Sequence, residues 1–354
     1  MKYNQLGNTG VLVSEICLGT MTFGGSGYWK AIGELQQDAV SEIVKTAFDN
    51  GVNFIDTANV YSFGQSETLL GQTLKMLGLP RNELIIATKV RGRMGEGKNQ
   101  VGLGRLQIMQ QIEDSLKRLQ TDHVDLYQIH GFDSMTPLEE TMRGLEDVVR
   151  SGKVRYIGCS NLAAWQVMKA NGIAEKNGWT KFVSTQNYYS IAGRDLENEI
   201  VPMVQDQQMG ILPWSPLAGG FLSGKFTRTN KPEDGSRRLN FDFPPINQER
   251  AYDIIDAMEP IADDYNVSVA RIALAWVLAK PGVTSVIIGA KNTDQLMDNI
   301  KAVDLSLTTE QMAELDRVSA VPKPYPQWMI DRQGGDRLGP SNFAPKPVVA
   351  AETK

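Results

Sequence analysis

Cysteine is scarce in this sequence of 354 residues, which contains two, Cys17 and Cys159. Each lies in an apolar run, where a free thiol usually behaves as a small buried hydrophobic group. Two such residues in a chain of this length do not build a disulfide framework, which favours a reducing compartment. Histidine is equally scarce, with His123 and His130 as its only occurrences. We predict no metal site.

An excess of basic residues and long apolar runs are also missing. The chain has 36 Lys and Arg against 41 Asp and Glu, and its net charge of −5 argues against a surface built to bind nucleic acid or anionic lipid. No window approaches roughly eighteen uninterrupted apolar residues, and the N-terminus MKYNQLGNTG lacks the apolar segment of a secretory signal. We therefore expect a soluble cytoplasmic protein without nucleic-acid or membrane partners.

The chain does contain a regular alternation of short apolar runs and longer stretches of helical period. The runs are rich in β-branched residues and often apolar at consecutive positions, as expected of parallel strands buried on both faces. They are SEICLG (14–19), NFIDTA (53–58), LIIATKV (84–90), VDLYQIH (124–130), VRYIGCSN (154–161), FVSTQN (182–187), GILPWSPL (210–217) and TSVIIGA (284–290). Eight strands joined by crossover helices predict an α/β protein with a (β/α)8 TIM barrel.

A doubly wound open sheet is the competing architecture. Such a sheet normally carries a G-x-G-x-x-G turn after its first strand, and FGGSGYWKAIG (23–33) has glycines without that spacing. The barrel is therefore favoured. Residues 2–13 predict an N-terminal β-hairpin that closes the bottom of the barrel. We assign residues 1–320 to the barrel domain and residues 321–354, which are rich in Pro and Gly, to an irregular C-terminal tail.

Polar residues end three consecutive apolar runs. Active sites of (β/α)8 barrels lie at the C-terminal ends of the strands. Asp56 ends NFID, Lys89 ends IIATK and His130 ends LYQIH, while Tyr61 follows in the loop after Asp56. Singly, each has an ordinary structural explanation as a helix cap, a solvated chain end or a packed core residue. Because neighbouring strand ends would bring them together, we predict a joint catalytic site. His123 precedes its strand and is assigned a structural role.

This set of side chains suits carbonyl reduction. Hydride delivery to a carbonyl carbon requires an acid for the developing alkoxide. A nearby ammonium lowers the pKa of a phenol from its usual value of about 10, and a carboxylate beside the ammonium keeps it charged. We therefore predict that Tyr61 is the acid, that Lys89 lowers its pKa, and that Asp56 is the partner of Lys89. His130 would orient and polarise the carbonyl group.

The same segments resemble the aldo-keto reductase superfamily. GVNFIDTANVYSFGQSE, LIIATKV and VDLYQIHG resemble its Asp, Tyr, Lys and His signature, and GCSN (158–161), TQNYYS (185–190), PWSPLAGGFLSGK (213–225) and VIIGAKNTDQLMDN (286–299) match its cofactor-contacting motifs. The resemblance keeps the motif order from about residue 3 to residue 318. It implies an NADPH-dependent oxidoreductase that reduces an aldehyde or ketone reversibly to an alcohol.

The resemblance also implies which residues contact NADP(H). Trp214 would stack on the nicotinamide, and the carboxamide contacts, beside Asp56, would be Ser160, Asn161 and Gln186. The pyrophosphate would lie along Ser215, Leu217, Gly219, Leu222, Lys225 and Gly289, with Arg238 as a weaker second phosphate ligand. The adenosine end would contact Lys291, Gln295, Asp298 and Asn299. Lys291 stands where the family binds the 2′-phosphate, and its charge favours NADP.

Parts of the sequence also bear on two other functions, a channel β-subunit and a barrel enzyme of unrelated chemistry. The WSPL and QLMDN motifs also resemble channel β-subunits, which keep the fold and the cofactor, and a barrel of unrelated chemistry such as an isomerase would leave the cofactor motifs unexplained.

The partner we expect is a small-molecule carbonyl or alcohol. An aromatic-rich wall would favour an apolar or ring-bearing carbonyl, although each of its residues could equally be internal packing: Met21, Phe23, Tyr28, Trp29, Phe63, Phe132 and, from the tail, Trp328.

Overall fold

A computed structural model of the chain describes residues 1–230, 232 and 237–334. Every predicted apolar run contains a strand. The strands are β1 (Tyr3–Gln5), β2 (Leu12–Ser14), β3 (Ile16–Gly19), β4 (Phe54–Asp56), β5 (Ile85–Val90), β6 (Val124–Ile129), β7 (Val154–Ser160), β8 (Phe182–Tyr188), β9 (Gly210–Trp214) and β10 (Val286–Ile288). The β-branched and apolar residues of these runs are almost all buried, as strands covered on both faces require.

The strands β3 to β10 form a parallel sheet that closes on itself. β10 pairs with β3, and from there each strand pairs with the next in the chain as far as β9. Ile211 of β9 then pairs with Val283, just before β10, and the N–H of Thr284 donates to the Ile211 carbonyl oxygen over 2.9 Å. The result is a nearly closed eight-stranded barrel, which confirms the predicted (β/α)8 fold.

Most helices of the described residues belong to the barrel unit, where they surround the strands and bury apolar residues. In α1, for example, Val40, Ile43, Val44 and Ala47 are buried. The helices are α1 (Gln37–Asp49), α2 (Gln65–Leu77), α3 (Arg105–Leu119), α4 (Leu138–Arg150), α5 (Ala164–Asn177), α6 (Ile200–Gln207), α7 (Arg237–Asn240), α8 (Gln248–Tyr265), α9 (Val269–Leu278), α10 (Thr293–Ile300), α11 (Thr309–Val318) and α12 (Gln327–Gly334). Within the described residues, none of them combines the length and the apolar character that crossing a membrane would demand.

The antiparallel pair β1 and β2 forms the predicted N-terminal hairpin. Leu6 and Val13 pack into the barrel interior against buried residues of β3, β4, β5, β6, β9 and β10. Gly7, in the turn, has φ 56°, and a Cβ there would lie 2.2 Å from the carbonyl oxygen of Val183. Only glycine fits this contact at the start of β8. The hairpin thus closes the N-terminal end of the barrel and leaves the opposite end for the site.

The barrel unit spans Met1–Ser319, and a second unit begins at Ala320. Part of the tail that we expected to be irregular is a helix, α12. Its segment QWMIDRQG contains no proline and follows directly on Pro326, a position from which a helix can start without losing a hydrogen bond. Residues 335–354 of the predicted tail lie outside the described residues.

Candidate active site

The four predicted catalytic residues meet at the C-terminal end of the barrel. Asp56 is the last residue of β4, Lys89 lies near the end of β5, and His130 directly follows β6. Lys89 Nζ donates hydrogen bonds to Asp56 Oδ2 (2.5 Å) and to the Tyr61 hydroxyl oxygen (3.2 Å). The rings of Tyr61 and His130 meet edge to face with centroids 5.7 Å apart. Neighbouring parallel strands therefore bring these side chains together as expected.

A tight turn, Tyr61–Gly64, positions Tyr61 beside this ammonium. Ser62 and Phe63 have φ 48° and 54°, a region that residues with a Cβ seldom occupy. The Ser62 hydroxyl donates to the Phe23 carbonyl oxygen (3.2 Å), and the Trp29 ring lies 5.4 Å from the Tyr61 ring. Backbone strain held in place by such contacts is common at functional sites. These contacts hold the turn in its strained conformation, with the Tyr61 hydroxyl beside the Lys89 ammonium.

Two buried glutamines complete the surroundings of Asp56. Gln128 Nε2 and Gln186 Nε2 each donate to Asp56 Oδ1 over 2.9 Å, and Gln186 also donates to Gln128 Oε1 over 3.2 Å. Gln128 was not among the predicted site residues. It stands two positions before His130 in an apolar strand, and side chains two apart share a face. A polar residue at that spacing was the signal that could have revealed it.

Burial and charge set the protonation states of the central pair. Burial lowers the pKa of Lys89, but the neighbouring Asp56 and Tyr61 outweigh it and the pKa is raised overall. Burial raises the pKa of Tyr61 by more than the Lys89 ammonium lowers it. Lys89 therefore acts on the pKa of Tyr61 in the predicted direction, but the net pKa is raised, because desolvation of a phenolate costs more than one ammonium returns. Tyr61 keeps its proton and Lys89 keeps its charge at neutral pH.

His130 is neutral in this environment. Burial, with the positive charges of Lys89 and Arg91, holds the pKa of its imidazole well below the usual value. Arg91 lies at the same rim, where its Nε donates to the Phe132 carbonyl oxygen over 2.9 Å. A neutral imidazole keeps one N–H to donate and one nitrogen to accept.

Three of the residues expected at the nicotinamide form a hydrogen-bonded chain. Trp214 Nε1 donates to Asn161 Oδ1 (3.0 Å), and Asn161 Nδ2 donates to Ser160 Oγ (2.9 Å). Gln186, the fourth, is instead turned to Asp56 with its amide nitrogen. The indole of Trp214 stacks on Phe243, with ring centroids 5.6 Å apart and planes at 10°. Stacking of a nicotinamide on that face would require Phe243 to move.

The loop after β9 has the backbone shape expected of a phosphate cradle. Ser215 and Ala218 have φ 54° and 50°, and Gly219 and Gly220 follow with φ 68° and 96°. Successive turns of this kind can form a concave surface of backbone N–H groups that suits anions. Here the N–H groups of Ala218 and Gly220 donate within the loop, to the carbonyl oxygens of Ser215 (2.8 Å) and Leu217 (2.9 Å). A Cβ at Gly220 would meet nothing within 4 Å, and the same holds at Gly289 after β10. The space beside both residues is open.

The remaining residues expected at the phosphates differ in burial and in the bonds that they already form. Leu217 is half-buried and Leu222 is fully buried, so Leu222 can offer a ligand only its backbone, whereas Lys225 is exposed. The Arg238 guanidinium is buried and already bonded to the carbonyl oxygens of Ala218 (2.8 Å) and Pro244 (2.9 Å) and to Asp242 Oδ1 (2.9 Å). These bonds stabilise the loop after β9, and a phosphate that binds Arg238 would have to compete with them.

The residues expected at the adenosine lie around the first turns of α10. Gln295 Oε1 accepts from the backbone N–H of Lys291 over 3.0 Å, and Lys291 itself is exposed. Asp298 is bound to Arg271 of α9, with Arg271 Nε 2.7 Å from its Oδ1. Asn299 is buried. Lys291 is thus exposed and Gln295 half-buried, whereas Asp298 forms an ion pair within the protein.

Aromatic rings line the rim on the Tyr61 side. Tyr28 lies 4.7 Å from Trp29 and 6.0 Å from Phe63, centroid to centroid. Tyr28 and Phe63 are more than half exposed, and Phe132 is half-buried next to the exposed Trp165. Met21 packs on the cluster around Tyr61. Phe23, also predicted for this wall, is fully buried and belongs to the core.

Known proteins resemble the whole barrel. The profile of the Aldo/keto reductase family matches residues 15–320. An uncharacterized oxidoreductase of Bacillus subtilis, YrpG, is 38% identical over 326 residues, which are 90% of this chain and 96% of that protein. The versiconal hemiacetal acetate reductase of Aspergillus parasiticus is 36% identical over 334 residues, 89% and 96% of the two chains. A probable voltage-gated potassium channel subunit beta of Oryza sativa subsp. japonica is 33% identical over 333 residues, 92% and 98% of the two chains.

Proposed function

The chain belongs to the Aldo/keto reductase family, and we propose that it is an NADPH-dependent reductase of aldehydes or ketones that also runs in reverse as an alcohol dehydrogenase. One observation supports this proposal more directly than any other. Lys89 joins Asp56 to Tyr61 at the barrel mouth, so a charged ammonium touches a phenol that holds its proton. That arrangement suits the delivery of a proton to a carbonyl oxygen.

The proton would come from Tyr61. Its oxygen accepts a hydrogen bond from Lys89 Nζ, so the hydroxyl hydrogen is directed elsewhere and is available to the substrate. NADPH, when bound, supplies the hydride that reaches the carbonyl carbon. The substrate oxygen then takes the Tyr61 proton, and the phenolate that forms is stabilised by the adjacent ammonium. Solvent returns the proton to Tyr61, and Asp56 keeps Lys89 charged throughout.

His130 would hold the carbonyl group in place. Its ring lies against Tyr61, and in its neutral form it can donate one N–H to the same substrate oxygen. A neutral donor at this point orients the carbonyl without adding a second cation beside Lys89. The exposed rings of Tyr28 and Phe63, next to the buried Trp29, favour a substrate whose carbonyl is attached to a ring or another apolar group.

Residues at the other side of the mouth fit NADP(H). The turn at Ser215–Gly220 gives backbone and open space for a pyrophosphate, and Ser160 and Asn161 offer polar atoms to a carboxamide. The exposed ammonium groups of Lys225 and Lys291 are suited to phosphates, with Lys291 at the position expected for the 2′-phosphate. These residues would bind and orient the cofactor.

A regulatory subunit is the second candidate function, favoured by the likeness to a probable channel subunit over 98% of that protein's length. The two candidates differ in turnover. We expect the purified chain to consume NADPH, followed at 340 nm, with at least one of a panel of aromatic and aliphatic aldehydes. Tight binding of NADPH without consumption by any carbonyl would contradict the reductase and favour the regulatory subunit.

A further inference from the structure

Gln128 is a polar residue at a barrel position that is normally apolar. It lies on β6 between Leu126 and His130, and side chains two apart on a strand share a face. Leu126 belongs to the apolar cluster inside the barrel, and Gln128 is 0% exposed. Branched apolar side chains dominate the interior layers of (β/α)8 barrels. A buried amide costs free energy unless its hydrogen bonds are made, so the partners of Gln128 indicate its role.

Gln128 closes a triangle of hydrogen bonds with Asp56 and Gln186. Its Nε2 donates to Asp56 Oδ1 (2.9 Å), and its Oε1 accepts from Gln186 Nε2 (3.2 Å), which also donates to Asp56 Oδ1 (2.9 Å). The three residues belong to alternate strands, β4, β6 and β8, which contribute side chains to the same layer of a barrel. Through Lys89, which donates to both Asp56 and Tyr61, this layer is connected to the proposed proton donor.

The first bond of Gln128 acts on the catalytic carboxylate. Asp56 Oδ1 receives the two amide groups, and this leaves Oδ2 to accept from Lys89. Hydrogen bonds to a carboxylate favour its charged form. Since Gln186 is also expected at the nicotinamide, Gln128 is the donor to Asp56 that has no second task at the cofactor. Without Gln128, Oδ1 would keep one donor and the carboxylate would be held less firmly against Lys89.

The second bond of Gln128 acts on the orientation of Gln186. A side-chain amide has two N–H groups on its nitrogen and acceptor sites on its oxygen. The Gln186 nitrogen donates to Asp56 Oδ1 and to Gln128 Oε1, so the oxygen is the atom that Gln186 can offer to a ligand. Rotation of this amide by half a turn would set its oxygen against two acceptors. Gln128 therefore disfavours the rotated amide.

We propose that Gln128 is a positioning residue for both halves of the reaction: it holds Asp56 in line with Lys89, and it orients the Gln186 amide so that its oxygen faces the nicotinamide carboxamide. This inference rests on the proposed reductase function. Gln128 is fully buried, so it acts through these two side chains and not by contact with substrate or cofactor.

Two substitutions separate the hydrogen bonds of Gln128 from its volume. Q128M keeps an unbranched side chain of similar length and removes both bonds. Q128E keeps the acceptor, and it donates to Asp56 only while the new carboxyl group carries its proton, which adjacent carboxylates favour. The titratable groups around this position are Asp56, Lys89, Tyr61, His130 and, inside the barrel, Cys17.

The first measurement is kcat for 4-nitrobenzaldehyde, followed by NADPH consumption. We expect Q128M to lower kcat by roughly 10- to 100-fold, the range of a hydrogen bond to a charged group. Q128E should be close to wild type near about pH 6 and should fall towards Q128M as the carboxyl group loses its proton at higher pH. A loss that pH reverses is distinct from a folding defect.

Gln111 provides the matched control. It is a buried glutamine of α3, outside the barrel, that accepts from Asn59 Nδ2 (2.9 Å) and donates to Asp114 Oδ2 (3.3 Å). Q111E therefore also introduces a carboxyl group beside an aspartate. Its kcat, divided by that of the wild type, should stay near one at every pH.

Calorimetric titration with NADP+ adds a readout that needs no turnover. Q128M should raise the Kd by roughly 3- to 10-fold, the range of a neutral hydrogen bond. If Gln128 acts on the cofactor through Gln186, Q128M/Q186M should bind NADP+ as weakly as Q186M alone.

Three results would overturn the proposal: wild-type kcat and Kd in Q128M, a Q128E variant as slow as Q128M near about pH 6, or additive losses of NADP+ affinity in the double variant. A lower kcat of Q128M with an unchanged Kd would overturn the orientation of Gln186 by Gln128. Failure of the wild type to oxidise NADPH with any aldehyde would count against the reductase alone, since the Kd values are measured separately.

Discussion

Lys89 Nζ lies 2.5 Å from Asp56 Oδ2, and the two side chains are 0% and 3% exposed. Desolvation of two charges is compensated only when the remaining hydrogen-bonding positions are filled. Here Lys89 also donates to the Thr57 carbonyl oxygen over 2.9 Å, and Asp56 receives the amide groups of Gln128 and Gln186. The pair is therefore part of the barrel's stability as well as of the proposed chemistry.

Removal of Lys89 should destabilise the fold. K89M leaves a buried carboxylate without its cation, and we expect the free energy of unfolding in urea to fall by about 3–5 kcal/mol. The double variant D56N/K89M should recover part of this loss, because no buried charge remains. Lys45, which pairs with Asp49 at the surface, is the control, and K45M should change the free energy by less than about 1 kcal/mol. Equal effects of K89M and K45M would contradict the account of the pair.

Removal of the Tyr61 hydroxyl should abolish turnover and spare binding. Y61F lacks the proposed proton donor, so kcat for any accepted aldehyde should fall by about 10²- to 10⁴-fold. The Kd for NADPH, measured by fluorescence titration, should stay close to that of the wild type. Y3F serves as the matched control, since it removes a hydroxyl that donates to the Gly51 carbonyl oxygen far from the site. Full activity of Y61F would rule out the proposed role.

The low pKa of His130 should make stability depend on pH. In the unfolded chain the imidazole takes up a proton near pH 6.5, whereas in the folded chain its pKa is held well below that value. Between the two pKa values the unfolded state binds more protons, so the free energy of unfolding decreases as the pH falls below about 6.5. H130N should show a shallower decrease in urea titrations over this range. An H130N slope equal to that of the wild type would show that His130 is not held neutral.

The choice of coenzyme should depend on Lys291. If this ammonium binds the 2′-phosphate, K291A should raise the Kd for NADPH by roughly 10- to 100-fold and leave the Kd for NADH unchanged, because NADH has no phosphate there. K176A, at an exposed lysine near the end of α5, should alter neither value. Equal weakening of NADPH and NADH by K291A would move the 2′-phosphate to another residue.

The sequence predicted the barrel and the meeting of Asp56, Tyr61, Lys89 and His130 because both follow from local pattern. Buried parallel strands need consecutive apolar residues, and the ends of neighbouring strands meet at one rim. The irregular tail was predicted only in part, since α12 occupies a segment free of proline. Phe23, expected at the substrate wall, is core, because composition alone does not tell a ring at the rim from a ring beneath it.

Properties that depend on packing between distant segments were decided by the tertiary structure. The pKa of Tyr61 is raised rather than lowered because burial acts on it more strongly than Lys89 does, and burial is a sum over neighbours that no motif records. Arg238, which the sequence suggested as a phosphate ligand, is bonded within the protein to Asp242 and to the carbonyl oxygens of Ala218 and Pro244. The order of polar and apolar residues determined the barrel and its four central side chains, whereas desolvation and long-range contacts determined the protonation of those side chains.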